Sequence, residues 1–180
     1  MSIYSDMREA VRQGTLEALS QSGFSSVPVI YSHQNGTEPT ASYVVIQIVS
    51  LNQIGHSQTD TLTDGVPTDK KITYKTYYEG MIQFSFTGSQ GPEIAHEFLN
   101  AIPNNIVVRE AYQKNNLSPV RKSQLRRAPQ KRDTQWVEFL NLDVTFSYMV
   151  KTTQTIDWVE HVVLVDTETG EVLTIPEITP

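Results

Sequence analysis

The run 134–150, TQWVEFLNLDVTFSYMV, constrains this chain more than any other segment. Its even positions Trp136, Leu140, Leu142, Val144, Phe146 and Tyr148 are apolar, with Glu138 the single interruption, while Asn141, Asp143, Thr145 and Ser147 occupy the odd ones. Successive Cβ atoms of a strand point to opposite sides of the pleat, so period-two alternation marks a β-strand with one face on a core and the other toward water. The pattern predicts a long half-buried strand whose inward face runs from Trp136 to Tyr148. It comes directly after RKSQLRRAPQKRD, a basic stretch without periodicity that reads as structureless.

A strand needs a sheet, and a chain of 180 residues can bury about two-thirds of its unfolded surface in one core. One domain with irregular extensions is the expectation. The absence of cysteine removes disulfides, thiolate zinc sites and cysteine nucleophiles together, so stability must come from packing or assembly. The N-terminal MSIYSDMREAV has no basic patch followed by an apolar core, and no window approaches 18 uninterrupted apolar residues. A soluble protein with no signal peptide and no membrane span is expected.

The net charge of −6 conceals a division along the chain. Residues 109–132 hold eight of the 14 Lys and Arg (Arg109, Lys114, Arg121, Lys122, Arg126, Arg127, Lys131 and Arg132) against one acid, Glu110. Residues 152–180 reverse the balance, with Asp157, Glu160, Asp166, Glu168, Glu171 and Glu177 and no Lys or Arg. Such runs are ordinarily solvated faces. In a ring, however, opposite-sign surfaces on neighbouring copies can meet and fix the order of assembly.

The other elements are read from periodicity and punctuation. Tyr4, Met7, Val11, Ala18 and Leu19 recur at helical spacing, with Asp6 and Glu9 in the N-terminal turns and Gly14 weakening the middle, and predict a helix that fades by Ser22 and Gly23. A short extended piece around 27–31 and a turn at Asn35 and Gly36 come next. YVVIQIVSL at 43–51 is apolar on both faces, which suits a central strand or an interface. Residues 52–76 read as a long polar loop, and YYEGMIQFSFTG as a second long strand with Tyr78, Ile82, Phe84 and Phe86 on one face. Gly91 and Pro92 open a second helix, with Ile94, Ala95, Phe98, Leu99 and Ile102 on its core face and Pro103 stopping it. NIVVRE reads as a short strand, and WVEHVVLVDTETGEVLTI as a hairpin turning at Thr169 and Gly170. The order predicts an α+β fold: a mostly antiparallel, sandwich-like sheet covered by two helices, with a C-terminal β-hairpin.

Chemistry is nearly absent. None of His33, His56, His96 and His161 has zinc-pair spacing. Glu93 and His96 have the i, i+3 spacing of carboxylate-bridged metal sites, but the second motif and the further glutamates such sites need are missing. No G-x-S-x-G, G-x-G-x-x-G or P-loop occurs, and the turn 88–92 lacks the Lys-Ser or Lys-Thr of a phosphate cradle. Asp133, Glu138 and Asp143 fit a strand's polar surroundings without catalysis. No enzyme and no cofactor are expected. The stretch RKSQLRRAPQKR admits three readings: a solvated loop, a subunit or partner contact, and a salt-dependent DNA contact. It contains no aromatic residue, which disfavours stacking on single strands.

The ordered pattern resembles the neck and tail-terminator proteins of tailed bacteriophages. The residues that carry the likeness are the N-terminal helix, ASYVVIQIVSLNQIG, a long hairpin arm, YYEGMIQFSFTGSQGPEIAHEFLNAI running into a helix, and RRAPQKRDTQWVEFLNLDVTFSYMV. The resemblance covers 1–150, with 151–180 as an acidic hairpin extension. It implies a small α+β protomer forming a homo-oligomeric ring, commonly six copies, at the head–tail junction of the virion after assembly in the host cytoplasm. Adjoining connector or neck proteins and the tail tube protein are the implied partners. The ring would end or seal the tail tube, and genomic DNA would pass through its lumen without sequence-specific binding. No catalytic residue, metal or membrane is implied. The expected interface residues are Arg121, Lys122, Arg126, Arg127, Lys131 and Arg132 on the basic side and Asp157, Glu160, Asp166, Glu168 and Glu171 on the acidic side. Asp60, Asp64, Lys70, Lys71 and Lys75 lie along the arm. The alternative from another class is a nucleic-acid-binding module using the basic segment 121–132.

Overall fold

The period-two run becomes an interior strand of a sheet. A computed structural model, which describes residues 3–34, 36–64, 69–132, 135–157, 162–165 and 172–175, places most of it in β8 (Phe139–Asp157). The sheet has the order β1-β2-β3-β8-β4, from β1 (Val29–Tyr31), β2 (Tyr43–Asp64), β3 (Asp69–Thr87) and β4 (Leu117–Lys122), with β5 (Arg126–Arg127) also paired to β8. β1 runs parallel to β2, with Val29 opposite Val44. β2 and β3 are adjacent and joined by residues 65–68, a connection too short for anything but an antiparallel pair. Between β3 and β8, Gln83 meets Asp143 and Thr87 meets the Glu138 carbonyl, an opposite order of contacts that makes this pair antiparallel too. β4 is antiparallel to β8, with Leu117 opposite Tyr148 and a bulge between Pro119 and Arg121. The α+β, mostly antiparallel architecture expected from the sequence is therefore present.

One face of this sheet carries the core. Ile82, Phe84 and Phe86 of β3 and Leu142, Val144 and Phe146 of β8 are fully buried. Each such side chain contributes about 1.5–3 kcal/mol through removal from water. Over them lie α1 (Ile3–Gln21) and α2 (Gly91–Asn104), the latter through Phe98, whose ring centroid is 5.0 Å from that of Phe84 and 5.4 Å from that of Phe86. Met7, Val11, Ala18 and Leu19 of α1 face inward as their spacing requires, whereas Tyr4, one turn earlier, is half exposed. At the seam with β1, the Tyr31 hydroxyl donates to Glu9 Oε2 at 2.6 Å and the Arg8 guanidinium sits 4.2 Å above the Tyr31 ring. Burial first, and then the bond to Glu9, push the Tyr31 phenol up to about 12; the same bond, with a second from Gln13, holds the Glu9 carboxyl below its ordinary value.

The structure corrects four expectations. NIVVRE is not a strand: a third helix among the described residues, α3 (Ile106–Lys114), starts there. The Asn105 side chain accepts from the backbone N–H of Val107 at 2.9 Å and of Val108, capping the helix, and Val108, Ala111 and Tyr112 give it a buried stripe at helical spacing. Three helices rather than two thus lie on the sheet. Second, residues 52–64 and 69–76 are strand rather than loop, since β2 continues to Asp64 and β3 begins at Asp69. Polar side chains obscure a strand when neither face needs a core. Third, Pro103 does not stop α2 but sits in its last turn. Its missing N–H leaves the Leu99 carbonyl without a helical partner, and Lys122 Nζ donates to that oxygen at 2.9 Å. Fourth, the basic stretch is not structureless, since β5 and β6 (Gln130–Arg132) form within it.

The chain divides into two compact units. The first, Met1–His56 with Thr76–Val150, contains the helices and every member of the buried apolar cluster found among the described residues. The second, Ser57–Lys75 with Lys151–Pro180, contains the outer part of the arm, the end of β8, and a hairpin. That hairpin consists of β9 (Val162–Val165) and β10 (Val172–Ile175), which pair antiparallel. Within the same unit the Thr73 and Thr153 hydroxyls lie 3.1 Å apart.

Candidate partner interface

The basic stretch folds as one arm of a β-hairpin. Arg126 stands opposite Asn141 and Arg127 opposite Leu140; beyond them β6 pairs with β7 (Gln135–Val137), setting Gln130 against Val137 and Lys131 against Trp136. The register is the same on both sides of the break between β7 and β8. At that break Pro129 faces Glu138 in a pair whose backbone N–H groups point away from the partner strand, so the proline removes no bond from the ladder. The Ala128 N–H still bonds the Phe139 carbonyl at 2.8 Å, so the hairpin is continuous across it. Composition concealed this arm, because strands made of Arg, Lys and Gln carry no hydrophobic period.

The hairpin also changes the reading of Trp136. Leu140, Leu142, Val144, Phe146 and Tyr148 are buried as predicted, but Trp136 is 71% exposed. Alternation continues along the strand past the place where helices cover the face.

Four of the segment's cations, Arg121, Lys122, Arg126 and Arg127, have internal partners. Arg126 pairs with Asp143, whose other oxygen accepts from Gln83 at 3.2 Å, and Ser123 Oγ accepts from the Asp143 backbone N–H at 3.0 Å. Arg127 Nε lies 3.2 Å from Glu138 Oε1, Arg121 pairs with Glu79, and Lys122 bonds the Leu99 carbonyl. The sequence had suggested no internal role for any of them. These cations are exposed, and exposed ion pairs contribute about 0.2–1 kcal/mol each. They hold β4 and β5 against the sheet while leaving the guanidinium groups available at the surface. Lys131 is exposed beside Trp136 in the register, and Arg132 lies at the end of β6.

Beside this hairpin, a cleft of 310 Å³ runs between α3 and β4, with Arg109, Arg121 and Lys122 at its rim and Ile102, Pro103 and Val144 among its apolar walls. Val120 on β4 and Ile106 on α3 are exposed as well. The remaining candidates all fall in the second unit. Lys71 and Lys75 lie on β3, Asp60 and Asp64 on the outer part of β2, Lys70 near the start of β3 and Asp157 at the end of β8. Glu160, Asp166, Glu168 and Glu171 fall outside the described residues, as do Asp133, His161 and the turn at Thr169 and Gly170. Glu93 and His96 are exposed on α2, and among the described residues no group of three or more His, Cys, Asp or Glu side chains is placed to hold a metal. No described helix is long and apolar enough to cross a membrane.

The geometry is thus one of surfaces: a charged hairpin bearing an exposed indole, a basic cleft, and a second unit that combines the outer arm with the C-terminal segment. Comparison with curated proteins gives no match. The profile of the phage neck terminator proteins matches residues 1–171, which take in the helices, the sheet, the arm and most of the C-terminal segment. The chain therefore belongs to the phage neck terminator protein family, and is a structural protein of the virion at the junction of head and tail.

Proposed function

We propose that copies of this chain close into a ring, six-membered by the family resemblance, that ends or seals the tail tube at the neck and leaves a lumen for genomic DNA. The observation that carries the reading is the division of the chain into a unit that contains the helices and a second unit made of the outer arm and the C-terminal segment. Strands such as VVLV and VLTI pair with each other but still offer outer edges, which a neighbouring subunit or ring protein can complete. Arg121, Lys122, Arg126, Arg127, Lys131 and Arg132 on one side, and Asp157, Glu160, Asp166, Glu168 and Glu171 on the other, supply opposite charges for a heterologous contact. The arm, with Asp60, Asp64, Lys70, Lys71 and Lys75, is assigned to the adjoining connector or tail tube protein. DNA passes without sequence readout, and no catalytic step is involved.

The test is mass measurement and negative-stain imaging of the purified chain, alone and with the adjoining neck and tail tube proteins. A particle with a central lumen and an integral multiple of the 20.3 kDa protomer mass is expected. A chain that stays monomeric in both settings would sink the ring.

A further inference from the structure

The hairpin 126–141 presents a face that its basic composition does not account for. Residues directly opposite on paired strands project from one side, and so do alternate residues along each strand. Lys131 and Trp136 are such an opposite pair, and Arg127 and Glu138 lie on the same side, which their 3.2 Å diagonal ion pair bears out. An indole 71% exposed therefore shares a two-stranded surface with two exposed cations. The sequence, which places no aromatic inside the basic stretch, hides this arrangement; the fold supplies the aromatic from the opposing strand.

Tryptophan and arginine are the side chains that most often dominate protein–protein binding, because a covered indole removes a large rigid apolar surface from water. Duplex DNA fits the face poorly: phosphates would satisfy the cations, but stacked base pairs offer the indole no open ring. The complementary surface is an acidic polypeptide with apolar residues interleaved. Residues 152–180 have that composition, with carboxylates at Asp157, Glu160, Asp166, Glu168, Glu171 and Glu177, no Lys or Arg, and the apolar strands β9 and β10.

We propose that the face formed by Arg127, Lys131 and Trp136 receives the acidic C-terminal segment of a second copy of this chain, with Trp136 as the apolar anchor and the two cations meeting carboxylates. The proposal rests on the ring reading above. One such face and one such segment per copy define a head-to-tail contact that repeats until it closes.

Two full-length variants test it: Trp136→Ala, and one in which the six carboxylates of 152–180 become Asn or Gln. Because Trp136 is exposed, Trp136→Ala should melt with the wild type, which separates lost assembly from lost folding. Each variant alone should need about 30-fold more protein to assemble, the loss expected for an interface anchor. Mixed, they should form a 1:1 dimer that does not close, since only one of the two contacts per pair is intact. In a Trp158→Phe background Trp136 is the one remaining indole of the two, and its emission should shift to the blue as the ring forms. Trp136→Ala rings forming at wild-type concentration would overturn the proposal while leaving the ring reading standing. So would a mixture without dimers, or an indole shift produced by single- or double-stranded oligonucleotide in place of assembly. A wild-type chain that never assembles, with or without its neck partners, overturns both.

Discussion

At the residue scale, the packing depends on two glycines, Gly14 and Gly80. Gly14 lies in the middle of α1, where glycine lowers helix stability by about 1 kcal/mol relative to alanine. The structure gives the reason it is there: a Cβ at this position would sit 2.3 Å from two ring carbons of Tyr112, which is fully buried on α3 with its hydroxyl 3.4 Å from Thr15 Oγ1. Gly80 on β3 does the same for Met7, whose Cε would lie 2.3 Å from an added Cβ. α1 therefore rests on α3 at one glycine and on the sheet at another. Gly14→Ala should lower stability by about 1–2 kcal/mol, because overpacking against a ring with no room to move costs about 1–3 kcal/mol and exceeds the gain in helix propensity. Denaturant unfolding measures this, and a midpoint at or above that of the wild type would show that the Tyr112 ring yields. The position of Gly14 was legible in the sequence, but its partner 98 residues away was not. Trp136 shows the converse, an apolar residue at the right period that no helix covers.

Among the elements, α3 shows how the fate of a short β-branched run is decided by its C-terminal neighbours. Ile106, Val107 and Val108 favour a strand when read by themselves. Extended to Tyr112, the same segment carries a helical stripe, and Asn105 is in place to cap it. Asn105→Ala should remove the bonds to the Val107 and Val108 N–H groups and destabilise the protein by about 1 kcal/mol. Asn105→Asp, which retains an acceptor, should keep most of that stability; equal losses in thermal melts of the two variants would show that the cap is unimportant. The basic hairpin makes a similar point for strands. Its pairing with β7 and β8 rests on register and on backbone hydrogen bonds, which leave no imprint on side-chain hydropathy, and Pro129 is accommodated because it stands where the ladder asks for no N–H.

For the whole molecule, the division into two units predicts unequal protection of backbone amides. The described apolar cluster lies in the first unit, so amides in 44–48 and 82–86 should exchange only through near-global unfolding. Those in 57–59 and 71–75, on strands whose described side chains are largely outside that cluster, should exchange at lower free energy in isolated protomers and become protected on assembly. Hydrogen exchange with mass detection reads both states, and equal protection of the two sets in the protomer would contradict the division. The sequence by itself determined the α+β class, the amphipathic helices α1 and α2, the inward faces of β3 and β8, and the family, because each is written in local periodicity or in the order of elements. Tertiary structure decided the helical state of 106–114, the length of the arm, the internal partners of Arg121, Lys122, Arg126 and Arg127, and the exposure of Trp136. Those depend on contacts between residues distant in the chain, and a periodic pattern records which side of an element is apolar without recording what, if anything, lies against it.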